Sequence, residues 1–185
     1  MKKAFCTLLA ILLFFSFAAC SLREETPETA APETGAGLSS LTAEGLDGGV
    51  YTEAIFRGHR LTMLNVWATY CGPCIEEMPD LAALAKAYGD EFRIVGIVKD
   101  AADRNFEILP AKKSEAESIV RQTGADYLHL LPSKSLSQLV LKDVQVVPTT
   151  FFVDENGTIL GEAYYGSRSY AAWKAVVDSY LETLS

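Results

Sequence analysis

Cys71 and Cys74 stand two residues apart in the stretch WATYCGPCIEEMP, residues 67–79. Two thiols at that spacing can staple the chain, supply half of a metal site, or work as a reversible redox couple. As a staple the pair is weak. In the chain-entropy view, closing a loop of about four residues stabilises by only ~2 kcal/mol, against ~3 kcal/mol for fifteen. As a metal site it is incomplete, because zinc usually takes four ligands and one Cys-x-x-Cys supplies two. The only histidines, His59 and His129, lack the paired spacing of a zinc finger. Each reads as either a surface or a satisfied core histidine, and no metal is expected.

The redox reading has positive physics behind it. Cys71 follows an apolar run and opens a helical pattern, where unpaired N–H groups and the helix dipole favour a thiolate. Pro73 falls in the first turn, where its missing N–H costs nothing. A thiol with an ordinary pKa near 8.5 is only ~3% ionised at pH 7, whereas one near 7 is about half ionised. Cys71, first and expected to be exposed, would attack. Cys74, one turn further in and shielded, would resolve the mixed disulfide.

The surrounding elements follow from pattern. LTMLNVWAT (61–69) and FRIVGIV (92–98) are short apolar runs suited to buried strands. Between them, residues 73–88 place Met78, Leu81, Leu84, Ala85 and Tyr88 on one helical stripe, with a kink expected at Pro79. LDGGVYTEAIF (46–56) carries a turn signal at Asp47-Gly48-Gly49 and predicts a hairpin or short strand. A loop over 100–112, a helix over 114–124, a short strand near 127–131 and a short helix near 135–141 come next. TTFFVDENGTILGEAYY (149–165) is a hairpin through Asp154-Glu155-Asn156-Gly157. Trp173, Val176, Val177, Tyr180, Leu181 and Leu184 form a last helical stripe, read as core packing alone. The order predicts an α/β sandwich: a central mixed sheet flanked by helices. About 145 residues can bury such a core without a disulfide.

The N-terminus reads differently. Lys2 and Lys3 precede an uncharged stretch, AFCTLLAILLFFSFAA (4–19), with the features of a secretory signal. Residues 21–40 are rich in Pro, Glu, Thr, Ala, Gly and Ser, too poor in large apolar side chains to fold alone, and read as a flexible tether. The formal charge is −8 and falls to −10 if Lys2 and Lys3 leave with the signal. No basic stripe is visible, so nucleic acid is excluded as an expected partner. The sequence FAAC (17–20) resembles the lipobox of bacterial lipoproteins, with Phe17 where Leu is commoner. The resemblance implies a signal over 1–19, lipidation of Cys20, a tether over 20–40 and a folded domain over 41–185, held outside the cytoplasm at the membrane surface. Cys6 would leave with the signal, and Cys71 and Cys74 would remain as the only thiols.

VWATYCGPC (66–74) resembles the active-site signature of the thioredoxin superfamily, and CGPCIEEMP (71–79) that of its tethered TlpA/ResA-like branch. The similarity runs from about Leu46 to the C-terminus. It implies a thioredoxin-like fold with an N-terminal extension and a central insertion over 99–131. VQVVPTT (144–150) matches the family's cis-proline loop, so Pro148 is expected in the cis form, with Val147 pairing with a substrate's extended backbone. Trp67 matches the tryptophan beside the disulfide. Tyr70, which replaces a second tryptophan, joins Trp67, Gly72 and Pro73 on the expected docking surface. Glu77, three residues after Cys74 and so on its side of the helix, matches a glutamate that tunes the pair and moves protons. Where plain thioredoxin has an Asp on the preceding strand, this chain has Asn65.

The resemblance implies a monomeric protein-disulfide reductase without a cofactor. A CcdA/DsbD-like membrane thiol carrier would supply its electrons. Apocytochrome c or an extracellular methionine sulfoxide reductase are the acceptors it suggests. The competing readings are a disulfide-forming oxidase on the same fold and, less favoured, a copper metallochaperone. A thiol peroxidase is weaker still, because no peroxidase motif surrounds Cys71.

Overall fold

The computed structural model describes residues 37–184. Eleven regular elements follow in order. A small hairpin, β1 (Thr42–Glu44) with β2 (Val50–Thr52), comes first, closed by the Asp47–Gly49 turn. Then come β3 (Leu61–Trp67), α1 (Gly72–Tyr88), β4 (Phe92–Val98), α2 (Pro110–Thr123), β5 (Leu128–Leu130), α3 (Lys134–Leu139), β6 (Thr149–Asp154), β7 (Ile159–Tyr165) and α4 (Tyr170–Thr183). The five-stranded sheet has the order β5-β4-β3-β6-β7. β3 pairs parallel to β4 and antiparallel to β6, so the sheet is mixed, as the sequence predicts.

β3 is buried along its whole length and β4 at every position but Arg93, which is why they read as nearly continuous apolar runs. Their side chains still alternate. Leu61, Met63, Phe92, Ile94 and Phe152 face α1 and α4, where they pack on Leu81, Leu84, Trp173, Val177 and Leu181. Leu64, Val66, Val95, Ile97 and Val153 face the other way, onto Phe56, Leu136 and Val140. Leu38 and Leu41 complete that second core, and the Leu38 N–H donates to Gly157 O. Folded chain therefore reaches back to residue 37. The same alternation sends Asn65 and Trp67 toward α1, and that is what builds the site.

One helix boundary differs from the pattern. α2 begins at Pro110, four residues before Ser114, because a proline in the first turn arrives with its φ already helical. It stops at Gly124, which takes the left-handed φ of +67° and lets the Ala125 N–H reach Val120 O. Pro79 lies inside α1 on its exposed side, so the ring projects to solvent while Met78, Leu81 and Leu84 stay inward. The proposed signal, the Cys20 lipidation site and nearly all of the tether lie outside the described residues. Among the described residues, no helix is long and apolar enough to cross a membrane.

Candidate active site

Cys71 is the N-cap residue of α1, at the carboxyl end of β3, and forms a disulfide with Cys74. The Cys74 N–H points at Cys71 Sγ, 3.3 Å away. The first turn holds Gly72, Pro73 and Cys74 and no acid, so nothing there opposes a negative sulfur. Both cysteines are buried, Cys71 at 6% exposed and Cys74 at 1%, so Cys71 is less open than the sequence suggests, though still the more exposed of the two. Tyr70, Gly72 and Pro73 stand exposed around it, Tyr70 at 70%.

Val147 and Pro148 approach from the loop before β6. Their peptide bond is cis, and Val147 O lies 3.6 Å from Cys71 Sγ. Pro148 is buried, while Val146 beside it is exposed. Trp67 is fully buried in the cluster that contains both cysteines. It therefore supports the disulfide from beneath and offers no surface to a partner. Its indole N–H donates to His129 Nδ1 (3.2 Å), and His129 Nε2 pairs with Ala125 O (2.8 Å). Those partners require the neutral imidazole with its proton on Nε2. Burial lowers the His129 pKa to about 4. His59 is half-buried, with Nδ1 2.9 Å from Asp90 O. Among the described residues, no group of three or more His, Cys, Asp or Glu side chains is placed to hold a metal ion.

Glu77 is buried on the same side of α1 as Cys74. Its Oε1 accepts from Asn65 Nδ2 (3.0 Å), which also donates to Thr150 Oγ1. Its Oε2 accepts from the Arg168 N–H (3.1 Å) and Trp173 Nε1 (3.2 Å). Burial raises the Glu77 pKa, and the Arg168, Trp173 and Asn65 donors pull against it. Trp173 thus does more than the core packing its helical stripe suggests.

Two further sets of contacts carry no signal in the sequence. At the end of β4, Asp100 accepts from the Thr69 N–H (2.9 Å) and the Thr69 hydroxyl (2.7 Å), and Lys112 Nζ donates to the same hydroxyl (2.8 Å). Lys99 Nζ reaches the other way, to Val144 O. Adjacent residues therefore brace both the loop leading to Cys71 and the loop leading to Pro148. The candidate residues Cys71, Cys74, Glu77, Trp67, Tyr70, Gly72, Pro73, Val147 and Pro148 gather at one end of the sheet; Cys20 lies outside the described residues.

The arrangement offers a sulfur at a helix N-terminus, a second sulfur beneath it, a buried carboxylate, and a backbone edge beside the first sulfur. Residues 34–161 match the model of the AhpC/TSA family. The chain is 35% identical over 99 residues to the thioredoxin-like protein YneN of Bacillus subtilis, covering 52% of each chain. It is 31% identical over 100 residues to the thiol-disulfide oxidoreductase ResA of Halalkalibacterium halodurans, covering 52% of this chain and 49% of that one. The chain thus spans about half the length of the curated relatives it matches. A solved thiol:disulfide interchange protein of the thioredoxin family, from Chlorobium tepidum, superposes with a TM-score of 0.64 at 22% identity, covering 82% of this chain and 99% of that one. At that identity the likeness speaks for the fold, which is thioredoxin-like.

Proposed function

The chain belongs to the AhpC/TSA family of thioredoxin-like proteins, and on that footing we propose that it is a thiol-disulfide oxidoreductase that reduces disulfides of exported proteins. The observation that carries the reading is Cys71 at the N-cap of α1, with the Cys74 N–H on its sulfur and Val147 O beside it. Names borne by the matched relatives support the same chemistry.

In the reduced protein, the helix terminus favours Cys71 as a thiolate. A partner's extended segment pairs with the Val147 backbone, which brings its disulfide to Cys71. Cys71 Sγ attacks one partner sulfur; the partner S–S bond breaks and its other sulfur leaves as a thiolate that takes a proton. Cys74 then gives its proton to the Glu77 carboxylate and attacks Cys71 Sγ. The mixed disulfide breaks, the second partner sulfur leaves and is protonated, and the Cys71–Cys74 disulfide forms. Two electrons pass from protein to partner; Glu77 releases the Cys74 proton to one partner sulfur, and the other takes its proton from solvent, which received the Cys71 proton when the thiolate formed. A dithiol donor returns them, in this reading a CcdA/DsbD-like membrane carrier. Apocytochrome c or a methionine sulfoxide reductase are the suggested acceptors. Lipidated Cys20 would keep the monomeric domain at the outer face of the cell membrane, tethered by the residues that precede the folded chain at 37.

Equilibration of the Cys71/Cys74 pair against glutathione tests the direction. A reductase requires a potential near thioredoxin's roughly −270 mV; a value near the roughly −120 mV of DsbA would assign the pair to disulfide formation instead.

A further inference from the structure

The turn between β7 and α4 ties two parts of the site together. Gly166, at a left-handed φ of +79°, donates its N–H to Pro148 O (2.9 Å). Two residues on, the Arg168 N–H donates to Glu77 Oε2. The Arg168 guanidinium closes this turn by donating to Gly166 O (3.2 Å) and Tyr165 O (3.4 Å). It also lies over the Tyr164 ring at 5.0 Å and the Trp173 ring at 4.9 Å from their centroids. The same Trp173 gives its indole N–H to Glu77 Oε2. One guanidinium therefore holds both donors of that oxygen.

We infer that Arg168 and Trp173 are positioning residues of the exchange reaction, holding Glu77 as a carboxylate ready to take the Cys74 proton. The inference rests on the proton-accepting role proposed for Glu77. A buried carboxyl without donors stays protonated, and a protonated Glu77 has no place for a second proton. Fixed N–H donors pull against that preference, because they bond the charged form more strongly. Asn65 holds the other oxygen, Oε1, and adds no charge. β3, β6 and α4 present the neutral Asn65, Thr150 and Trp173. α1 adds the cysteine pair and Asp80, which is engaged by the Tyr170 N–H. β7 presents Tyr164 beneath the guanidinium, and Tyr127, before β5, is a phenol whose ionisation the Glu77 charge opposes. Arg168 is the one cation in this set.

The test uses the full chain carrying Cys6→Ser and Cys20→Ser, so that Cys71 and Cys74 are its only thiols, reduced and mixed with 5,5′-dithiobis(2-nitrobenzoate) across the pH range. Attack by Cys71 releases the first thionitrobenzoate, and attack by Cys74 on the resulting mixed disulfide releases the second, forming the protein disulfide. In the wild type the second phase slows on the acid side as Glu77 takes a proton. Trp173→Phe should move that acid limb up by about one pH unit, the scale of one lost bond to a charged group; Arg168→Met keeps its backbone amide but loses the guanidinium that fixes it and the one nearby positive charge, and should move the limb the same way. The first phase should keep its pH profile, and Arg168→Lys should recover part of the shift. Arg168 is half-exposed, so its variants decide the matter if Trp173→Phe folds poorly. If the limb stays put in Arg168→Met while Glu77→Gln abolishes it, this inference falls alone. If Glu77→Gln leaves the wild-type limb intact, the role assigned to Glu77 falls with it.

Discussion

His129 makes the stability of this domain depend on acid in a way that can be calculated. Its ring is buried beneath the disulfide cluster, Nδ1 accepts from Trp67, and Nε2 faces Ala125 O. A second proton has only Nδ1 to go to, and there it would confront the indole N–H. That would orphan a buried donor and bury a charge. The imidazole therefore stays neutral down to about pH 4 in the folded protein, whereas an unfolded chain binds the proton near pH 6.5. Between those values the unfolded state holds more protons, so stability is lost as the pH falls. At 1.36 kcal/mol per unit, this one group removes about 3 kcal/mol between pH 7 and pH 4. Urea unfolding at several pH values, compared with His129→Gln, isolates the effect, because Gln offers an acceptor to Trp67 and does not titrate. The gap between the two proteins should change by about 3 kcal/mol over that range. Parallel curves would refute the reasoning.

The same packing predicts that Gly96→Ala is severe. A methyl there would sit 2.2 Å from His129 Nδ1 and 3.1 Å from Trp67 Nε1. Overpacking and loss of the buried pair should together cost about 3–5 kcal/mol in urea unfolding; a cost below about 1 kcal/mol would show that the strand shifts freely. Asp100→Ala removes both Thr69 contacts and should cost about 1–3 kcal/mol. It should also raise hydrogen exchange at the Tyr70 and Cys71 amides, and unchanged exchange would mean that Asp100 does not brace that turn. Gly166→Ala forces a side chain into a left-handed backbone and should cost about 1–2 kcal/mol, read by thermal or urea unfolding; no cost would mean the turn relaxes without loss.

Much of this is legible in the chain because it depends on local pattern. Apolar runs at 61–69 and 92–98 mark the central strands, the 149–165 segment marks the hairpin, and Cys71-Gly-Pro-Cys74 marks the helix start. Period-two alternation within β3 is also what sends Asn65 and Trp67 to one face. What stays hidden are pairings between distant residues. The Glu77 donors Arg168 and Trp173 lie 91 and 96 residues away in sequence. A tryptophan in a helical stripe looks the same whether its N–H meets a carbonyl or a carboxylate. The Arg168 contact is made by a backbone amide, which no side-chain motif announces. Thr69 and Asp100 are likewise ordinary polar residues until β3 and β4 align side by side and bring their ends together.

The central claim is that Cys71 attacks and Cys74 resolves. The most direct measurement is a mass determination of protein captured from exported disulfide-bearing substrates by Cys74→Ser and Cys71→Ser variants that also carry Cys6→Ser and Cys20→Ser, so that each keeps a single thiol. Cys74→Ser should stall as a mixed disulfide through Cys71, released by dithiothreitol, whereas Cys71→Ser should capture almost nothing. Equal capture by both variants, or capture through Cys74 alone, would contradict the account.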